Sequence, residues 1–346
     1  MSLLNSIKPN EVSANVLDYK YIIAGARKSG KTSLFYNLIK SEYDGDLSKG
    51  LLFAFERGYQ ALQGIHAVDI SEWEDFQDYV EELVDSRDEA TYEMIAIDTI
   101  DILINKATEY VIAKASIADK KRYKTINEVG GGWGIGHSLL QDEISKQIDK
   151  LDHAGYALFF ITHTKDREFT QKDGLKYDKK IISATGGAGE YFANSADMIA
   201  FIEVTKELVG GNKVDKRHIH FRSDGVIDAG SRFPQIVEKV EYSTENFVEA
   251  VEDAIKAEYG GDEKNVEEAK EKQAKEAVKA EKEKKKEESI KPEDLIAEID
   301  KKLKDVSNDD KVRLAELLKA DFGNANYKKY DDVDDLKKAL KLVGKL

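Results

Sequence analysis

Over the first 260 residues, short apolar runs alternate with stretches in which apolar residues recur every three or four positions. The runs at 21–24, 51–55, 94–97, 157–161 and 198–204 lack polar alternation, and each ends near a polar residue. They predict parallel strands buried on both faces. The stretches between them predict helices. Ser71 with Glu74 reads as a capping box for a helix whose Trp73, Phe76, Val80 and Leu83 share a face. Ser138 with Gln141 repeats the device ahead of Leu140, Ile144, Ile148 and Leu151. Strands and helices alternating in this way predict an α/β fold with a mainly parallel sheet. After residue 204 the pattern changes. Ile219 and Phe221 alternate with polar residues between His218 and Arg222, and Gly210-Gly211 precedes them, which predicts an antiparallel hairpin at the sheet edge.

Beyond residue 261 the apolar positions thin out. Residues 262–288 hold nine Lys and ten acidic residues, with Glu and Lys four apart at Glu268/Lys272, Glu271/Lys275 and Glu281/Lys285. Such pairs support a solvated helix, and without a heptad seam it reads as a spacer rather than a coiled coil. Three apolar stripes follow: Leu295, Ile296, Ile299 and Leu303; Leu314, Leu317 and Leu318; Leu336, Leu340 and Val343. They predict about three short helices, too few for a catalytic domain. The expected organisation is a core at 1–261, a charged helical linker at 262–289 and a small all-helical module at 290–346.

The residues after the first run are Gly25, Ala26, Arg27, Lys28, Ser29, Gly30, Lys31, Thr32 and Ser33. They fit G-x-x-x-x-G-K-[ST] between a strand and a helix carrying Leu34, Phe35, Leu38 and Ile39. Glycines let backbone N–H groups wrap around phosphates, and the helix N-terminus adds the positive end of its dipole. Lys31 is expected at the β- and γ-phosphates, and Thr32 on a Mg2+ ion. Arg27 and Lys28 add charge within the loop, either on phosphate or in solvent.

The metal's protein carboxylate is expected at the end of another buried strand, and Asp98 supplies it, with Asp101 a weaker candidate. Hydrolysis also needs a group that orients or deprotonates water. Glu56, directly after the run 51–55, stands in that position, the bland alternative being a surface pair with Arg57. Thr162 and His163 follow the run 157–161, where a sensor of the γ-phosphate would sit. Asn212-Lys213-Val214-Asp215 matches the guanine-reading N-K-x-D, but no apolar strand leads into it, and Asp98-Thr-Ile-Asp101 lacks the glycine of D-x-x-G. Residues 212–215 therefore read as hairpin-loop chemistry.

A phosphate-loop strand, a second ending at Glu56, a third at Asp98 and a fourth running into Thr162 and His163 together resemble the RecA-like ATPases. The order of parts is closest to the small phage-encoded members grouped with phage recombination ATPases, over about residues 18–240. The resemblance implies ATP as substrate, Mg2+, and assembly as a homo-oligomeric ring or filament on single-stranded DNA. It also implies Glu56 as water activator and Thr162 and His163 as sensor. Sites in this family lie between subunits, so a cation from the neighbour is expected at the γ-phosphate. Arg232, on a Gly-bounded segment before Pro234, is the residue expected there, with Arg222 second.

Composition narrows the partners. At 346 residues and 41% hydrophobic, the chain suits two domains or one with an appendage, at about 100–200 residues each. Cysteine is absent, which excludes disulfides, zinc-thiolate sites and thiol nucleophiles. Without an apolar run of about 18 residues or a basic-then-apolar leader, the expectation is a soluble cytoplasmic protein, in host cytoplasm if phage-encoded, with no membrane partner. The net charge is −14, which excludes a uniformly basic nucleic-acid surface but not a local one. Lys114, Lys120, Lys121, Arg122 and Lys124 stand against Asp119 alone, running toward a Gly-rich stretch with Trp133. Residues 165–180 interleave six basic and four acidic residues with Phe169 and Tyr177, and lead into another Gly-rich stretch at 186–189. Two such loops suit a strand-tracking groove with stacking aromatics. The acidic core and neutral tail suit instead an ATP-driven switch or loader that binds a protein, with the C-terminal module reaching a replication or recombination protein. A small-molecule phosphotransferase lacks an evident acceptor pocket or Arg-rich lid.

Overall fold

The computed structural model describes residues 9–209, 212–288, 291–304, 306–330 and 333–343. They divide into two units, 1–270 and 271–346. The first opens with β1 (Tyr21–Gly25), α1 (Lys31–Glu42), β2 (Gly50–Ala54), β3 (His66–Asp69), α2 (Trp73–Asp85), β4 (Met94–Asp98) and α3 (Ile100–Ala118). It continues with α4 (Ile135–His153), β5 (Ala157–Thr162), β6 (Thr164–Thr170), β7 (Lys176–Ile182), α5 (Gly186–Ser195), β8 (Met198–Val209) and β9 (Asn212–His220). Short strands β10 (Gly230–Ser231) and β11 (Lys239–Glu241) precede α6 (Thr244–Glu258) and α7 (Glu263–Glu288).

Among the described residues, nine strands form one sheet in the order β11-β9-β8-β1-β5-β4-β2-β3, with β10 on β8. From β8 to β3 all neighbours run parallel, while β9, β10 and β11 are antiparallel. Successive side chains of a strand point to opposite faces. Tyr21 and Ile23 therefore join Phe35, Phe159 and Phe247 on one face, and Ile22 joins Phe53, Trp73, Phe76 and Phe160 on the other. Both faces are covered, which is why these strands read as unbroken apolar runs. The register sets Ala24 beside Thr162, and Asp98 beside both Ala54 and Ile161. The C-terminal ends of β1, β5, β4 and β2 thus meet at one edge, where ligands bind in open parallel sheets.

Several expectations shift. The box opening α2 is formed by Glu72 and Asp75, because helical dihedrals begin only at Trp73. Ser138 lies inside α4, which starts from Gly134 in the left-handed region. β3 went unpredicted, since a four-residue edge strand that is half exposed leaves no buried run. Residues 165–180, expected as a loop, form the antiparallel hairpin β6–β7. Residues 186–189 open α5, and 212–215 belong to β9, whose pairing with β8 extends the hairpin to Val209 and Asn212. Gly210-Gly211 lies outside the described residues.

In the second unit, α8 (Pro292–Leu303), α9 (Asn308–Phe322) and α10 (Val333–Val343) bury Leu295, Ile299, Leu314, Leu318, Leu336 and Val343 together. Leu317, expected in the second stripe, is exposed while Leu314 and Leu318 are buried. Glu271 and Lys275 pair at 3.1 Å along α7. Among the described residues, no helix is long and apolar enough to cross a membrane.

Candidate functional site

β1 ends at Gly25, which the register sets beside Ile202. A Cβ there would lie 3.0 Å from the Ile202 carbonyl oxygen and 2.6 Å from Ser29 Oγ, so only glycine fits. The chain re-enters a helix at Gly30, whose φ is +110° and whose Cβ would meet Tyr242 Oη at 2.5 Å. The first bond of α1 runs from the Leu34 N–H to Gly30 O at 2.8 Å. The N–H groups of Lys31, Thr32 and Ser33 precede it, at the positive end of the helix dipole.

Lys31 is buried, and its ammonium donates to Gly25 O at 3.0 Å, to Ala26 O at 2.9 Å and to His163 Nδ1 at 3.5 Å. An ammonium only donates, so Nδ1 accepts and the ring proton sits on Nε2, which donates to Glu56 Oε2 at 2.9 Å. Beside this chain, Thr32 Oγ1 donates to Asp98 Oδ2 at 2.6 Å. Burial lowers the pKa of Lys31, opposed by the charges of Asp98, Glu56 and Asp101. Burial raises that of Asp98, opposed by the Thr32 hydrogen bond and the Lys31 charge. Lys31, Thr32, Glu56, Asp98 and His163 line a cavity of about 560 Å³ together with Arg27, Lys28, Gly30, Ser33, Arg57, Gly58, Gln60 and Arg217. Its size lies within the roughly 300–1,000 Å³ of small-molecule sites. A larger cavity of about 650 Å³ lies beside β3 between His66, Tyr79 and Tyr92, away from the phosphate loop.

The donor set fits a hydrated Mg2+. Thr32 and Asp98 offer a hydroxyl and a carboxylate, hard oxygens of the kind Mg2+ takes one or two of before completing its shell with water and phosphate oxygens. Among the described residues, the buried hydroxyls of Ser29, in the loop, and Thr99, next to Asp98, have no hydrogen-bond partner, and neither lines the cavity.

Most of the expected residues converge. Arg57 pairs with Asp69 at 2.8 Å, leaving Glu56 to His163. Thr162 is buried, and its hydroxyl donates to Asp101 Oδ2 at 3.0 Å rather than entering the cavity. Asp101 is likewise absent from the cavity lining. Arg232 lies outside it too, donating to Asn194 O at 2.9 Å and pairing with Asp197 at 3.4 Å. Arg222 donates to Ile236 O at 2.8 Å and Phe233 O at 3.3 Å. Two residues went unanticipated. Arg217 reaches the cavity from β9, its guanidinium 5.8 Å from the centroid of Tyr242, whose hydroxyl donates to Gly30 O at 2.8 Å. No motif marks either; Arg217 arrives because its partner Val204 is two residues past the Ile202–Gly25 pair.

The basic and aromatic segments are more ordered than loops. Lys114 pairs with Glu143 at 3.4 Å, and Lys121 lies over the Tyr123 ring. Trp133 is fully exposed, with φ of +56°, between Gly132 and Gly134. On β6–β7, Phe169 and Tyr177 stack at 5.8 Å, with Arg167 over Phe169 at 5.3 Å. Lys176–Glu168 at 2.8 Å and Lys179–Asp228 at 2.5 Å pair two of the hairpin's six basic residues.

A glycine-bounded loop cradling a buried lysine, a threonine–aspartate pair beside it and a parallel sheet behind it define a P-loop NTPase core. Residues 17–233 match the family model described as an AAA domain, and the chain belongs to that family of P-loop ATPases. It is 26% identical over 235 residues, 65% of this chain and 67% of the relative, to the SPbeta prophage-derived uncharacterized protein YorG of Bacillus subtilis (strain 168).

Proposed function

We propose that the chain is a Mg2+-dependent ATPase that works as a homo-oligomeric ring or filament on single-stranded DNA, in phage-type recombination or replication. The observation that carries the reading is the chain Lys31–His163–Glu56 beside Thr32–Asp98 in one cavity. Residues 25–33 hold the phosphates, and Lys31 leaves its carbonyl partners for the β- and γ-oxygens. When bound by Thr32 and Asp98, Mg2+ neutralises charge developing on the transferring group. Glu56 Oε2 takes the proton of the attacking water, and its bond to His163 Nε2 fixes the carboxylate's direction. His163 touches both Lys31 and Glu56, which suits it to sense the γ-phosphate, with Thr162 behind it. Arg232 is two-thirds exposed on its side chain and suits reaching a neighbouring subunit.

DNA is supported by the hairpin β6–β7, which begins one residue after His163 and carries stacked aromatics, and by the exposed Trp133. The prophage origin of the relative supports the phage setting. The ion pairs that hold two of the hairpin's cations favour a second reading, an ATP-driven switch or loader on a protein partner. ATP hydrolysis measured with and without single-stranded DNA across a salt titration decides between them. Stimulation that fades with salt is expected through counterion release. Turnover indifferent to DNA at every salt concentration removes the DNA reading and leaves the switch.

A further inference from the structure

Asp101 sits in the first turn of α3, and its two carboxylate oxygens hold both roots of the β6–β7 hairpin. Oδ2 accepts from Thr162 Oγ1 and from the His163 backbone N–H, both at 3.0 Å, immediately before β6 begins. Oδ1 accepts from Ser183 Oγ, immediately after β7 ends. The Ser183 N–H closes the junction by donating to His163 O at 2.8 Å. Among the described residues Asp101 makes no ion pair, so its charge is directed at three neutral donors. Hydrogen bonds to an ionised acceptor are stronger and stiffer than neutral ones. The residue gripped from behind is His163, whose ring faces Lys31 and Glu56 inside the cavity.

We infer that Asp101 is a positioning residue that couples occupancy of the phosphate site to the β6–β7 hairpin. A group entering beside Lys31 and Glu56 shifts the His163 ring and, with it, the His163 peptide. Because one planar carboxylate holds that peptide and Ser183, the shift reaches the start of β6 and the end of β7 together. The inference rests on the reading of this cavity as a nucleotide site. Coupling between two sites is reciprocal and commonly amounts to about 5–150-fold in affinity or protection.

Hydrogen exchange on the full chain, with and without Mg2+ and a non-hydrolysable ATP analogue, tests it. The amides of α1 report binding, and those of 164–170 and 176–182 report the hairpin. In the parent both sets slow with nucleotide. In Asp101→Ala, α1 still slows to within about threefold of the parent, while the nucleotide-dependent slowing of the hairpin falls at least fivefold. Ser183→Ala removes one arm only and leaves the Ser183 N–H on His163 O, so the hairpin's response falls by less than in Asp101→Ala, with the larger loss toward the end of β7. Asp101→Asn, which can still accept two bonds and donate one to Ser183 Oγ, restores part of the response. A merely structural role would lower protection equally in both states and leave the nucleotide-dependent difference intact. An Asp101→Ala hairpin that responds like the parent's, or a parent hairpin that never responds while α1 does, overturns this inference alone. A parent in which α1 does not respond overturns the nucleotide reading first, and the coupling with it.

Discussion

The phosphate end of the sheet and the basic, aromatic segments beside it are built on different rules. At the phosphate end, each group is held by residues adjacent to it in sequence or by parallel strand register: Lys31 by the carbonyls of Gly25 and Ala26, and Thr32 by Asp98 at the end of a nearby strand. The segments around Trp133 and along β6–β7 are exposed, and where their cations form ion pairs the partners come from within the segment or from far along the chain, as Glu168 for Lys176, Glu143 for Lys114 and Asp228 for Lys179. A buried polar group has few places to go, so its partners are dictated; an exposed cation has many and is worth little in any one. Changes at the first region should therefore act steeply on chemistry, and changes at the second should act on partner response alone.

Lys31→Ala should have the largest effect, abolishing measurable turnover and weakening nucleotide binding, because it removes the point charge facing the β- and γ-phosphates. Near-normal turnover in a steady-state assay would end the assignment of the phosphate site. Glu56→Gln should slow hydrolysis by about 10²–10⁴ while binding stays intact, so that ATP is trapped. Filter-retained ATP after a single turnover measures it, and hydrolysis at the parent rate would remove Glu56 from the role.

An intermediate effect is expected from mixing Arg232→Ala with Lys31→Ala subunits. Each is inactive alone, but a mixed assembly joins some intact loops to intact arginines and should recover part of the ATPase. No recovery at any ratio, in a preparation shown to co-assemble, would exclude Arg232. Replacing Lys120, Lys121 and Arg122 with Ala should leave ATP affinity unchanged while the slope of log affinity for single-stranded DNA against log salt falls by about two, given roughly 0.7 per contact. An unchanged slope would break the contrast between the two regions by showing that these cations do not meet DNA.

The smallest effect lies in the C-terminal unit. Hydrogen bonds from Lys328 and Tyr327 hold the carboxyl of Asp300 below its usual range. A depressed carboxylate adds stability above its unfolded pKa and loses it as pH falls through the folded one. Asp300→Asn should therefore soften α8–α10 slightly at neutral pH, and the difference should shrink below about pH 4. A difference in exchange protection that grows on acidification would contradict the ion pair.

How much was legible in the chain follows from the same contrast. The apolar runs marked β1, β2, β4, β5 and the first half of β8, where both faces are covered, and missed that β8 runs on with Val204 and Leu208 exposed. The glycine spacing marked the loop because a Cβ at Gly25 or Gly30 would crowd the Ile202 carbonyl, Ser29 Oγ and Tyr242. Glu56, Asp98 and His163 were readable as polar residues ending such runs, since parallel strands of one sheet bring those ends to one edge. Local sequence could not show that His163 bridges Lys31 to Glu56, that Asp101 turns away to hold Thr162 and Ser183, or that residues 165–180 fold as a hairpin. Nor could it bring Arg217 to the cavity or the Tyr242 hydroxyl to Gly30 O. Those outcomes depend on pairings between residues up to 212 positions apart, as between Tyr242 and Gly30, which the register of the sheet edge sets and no local pattern encodes.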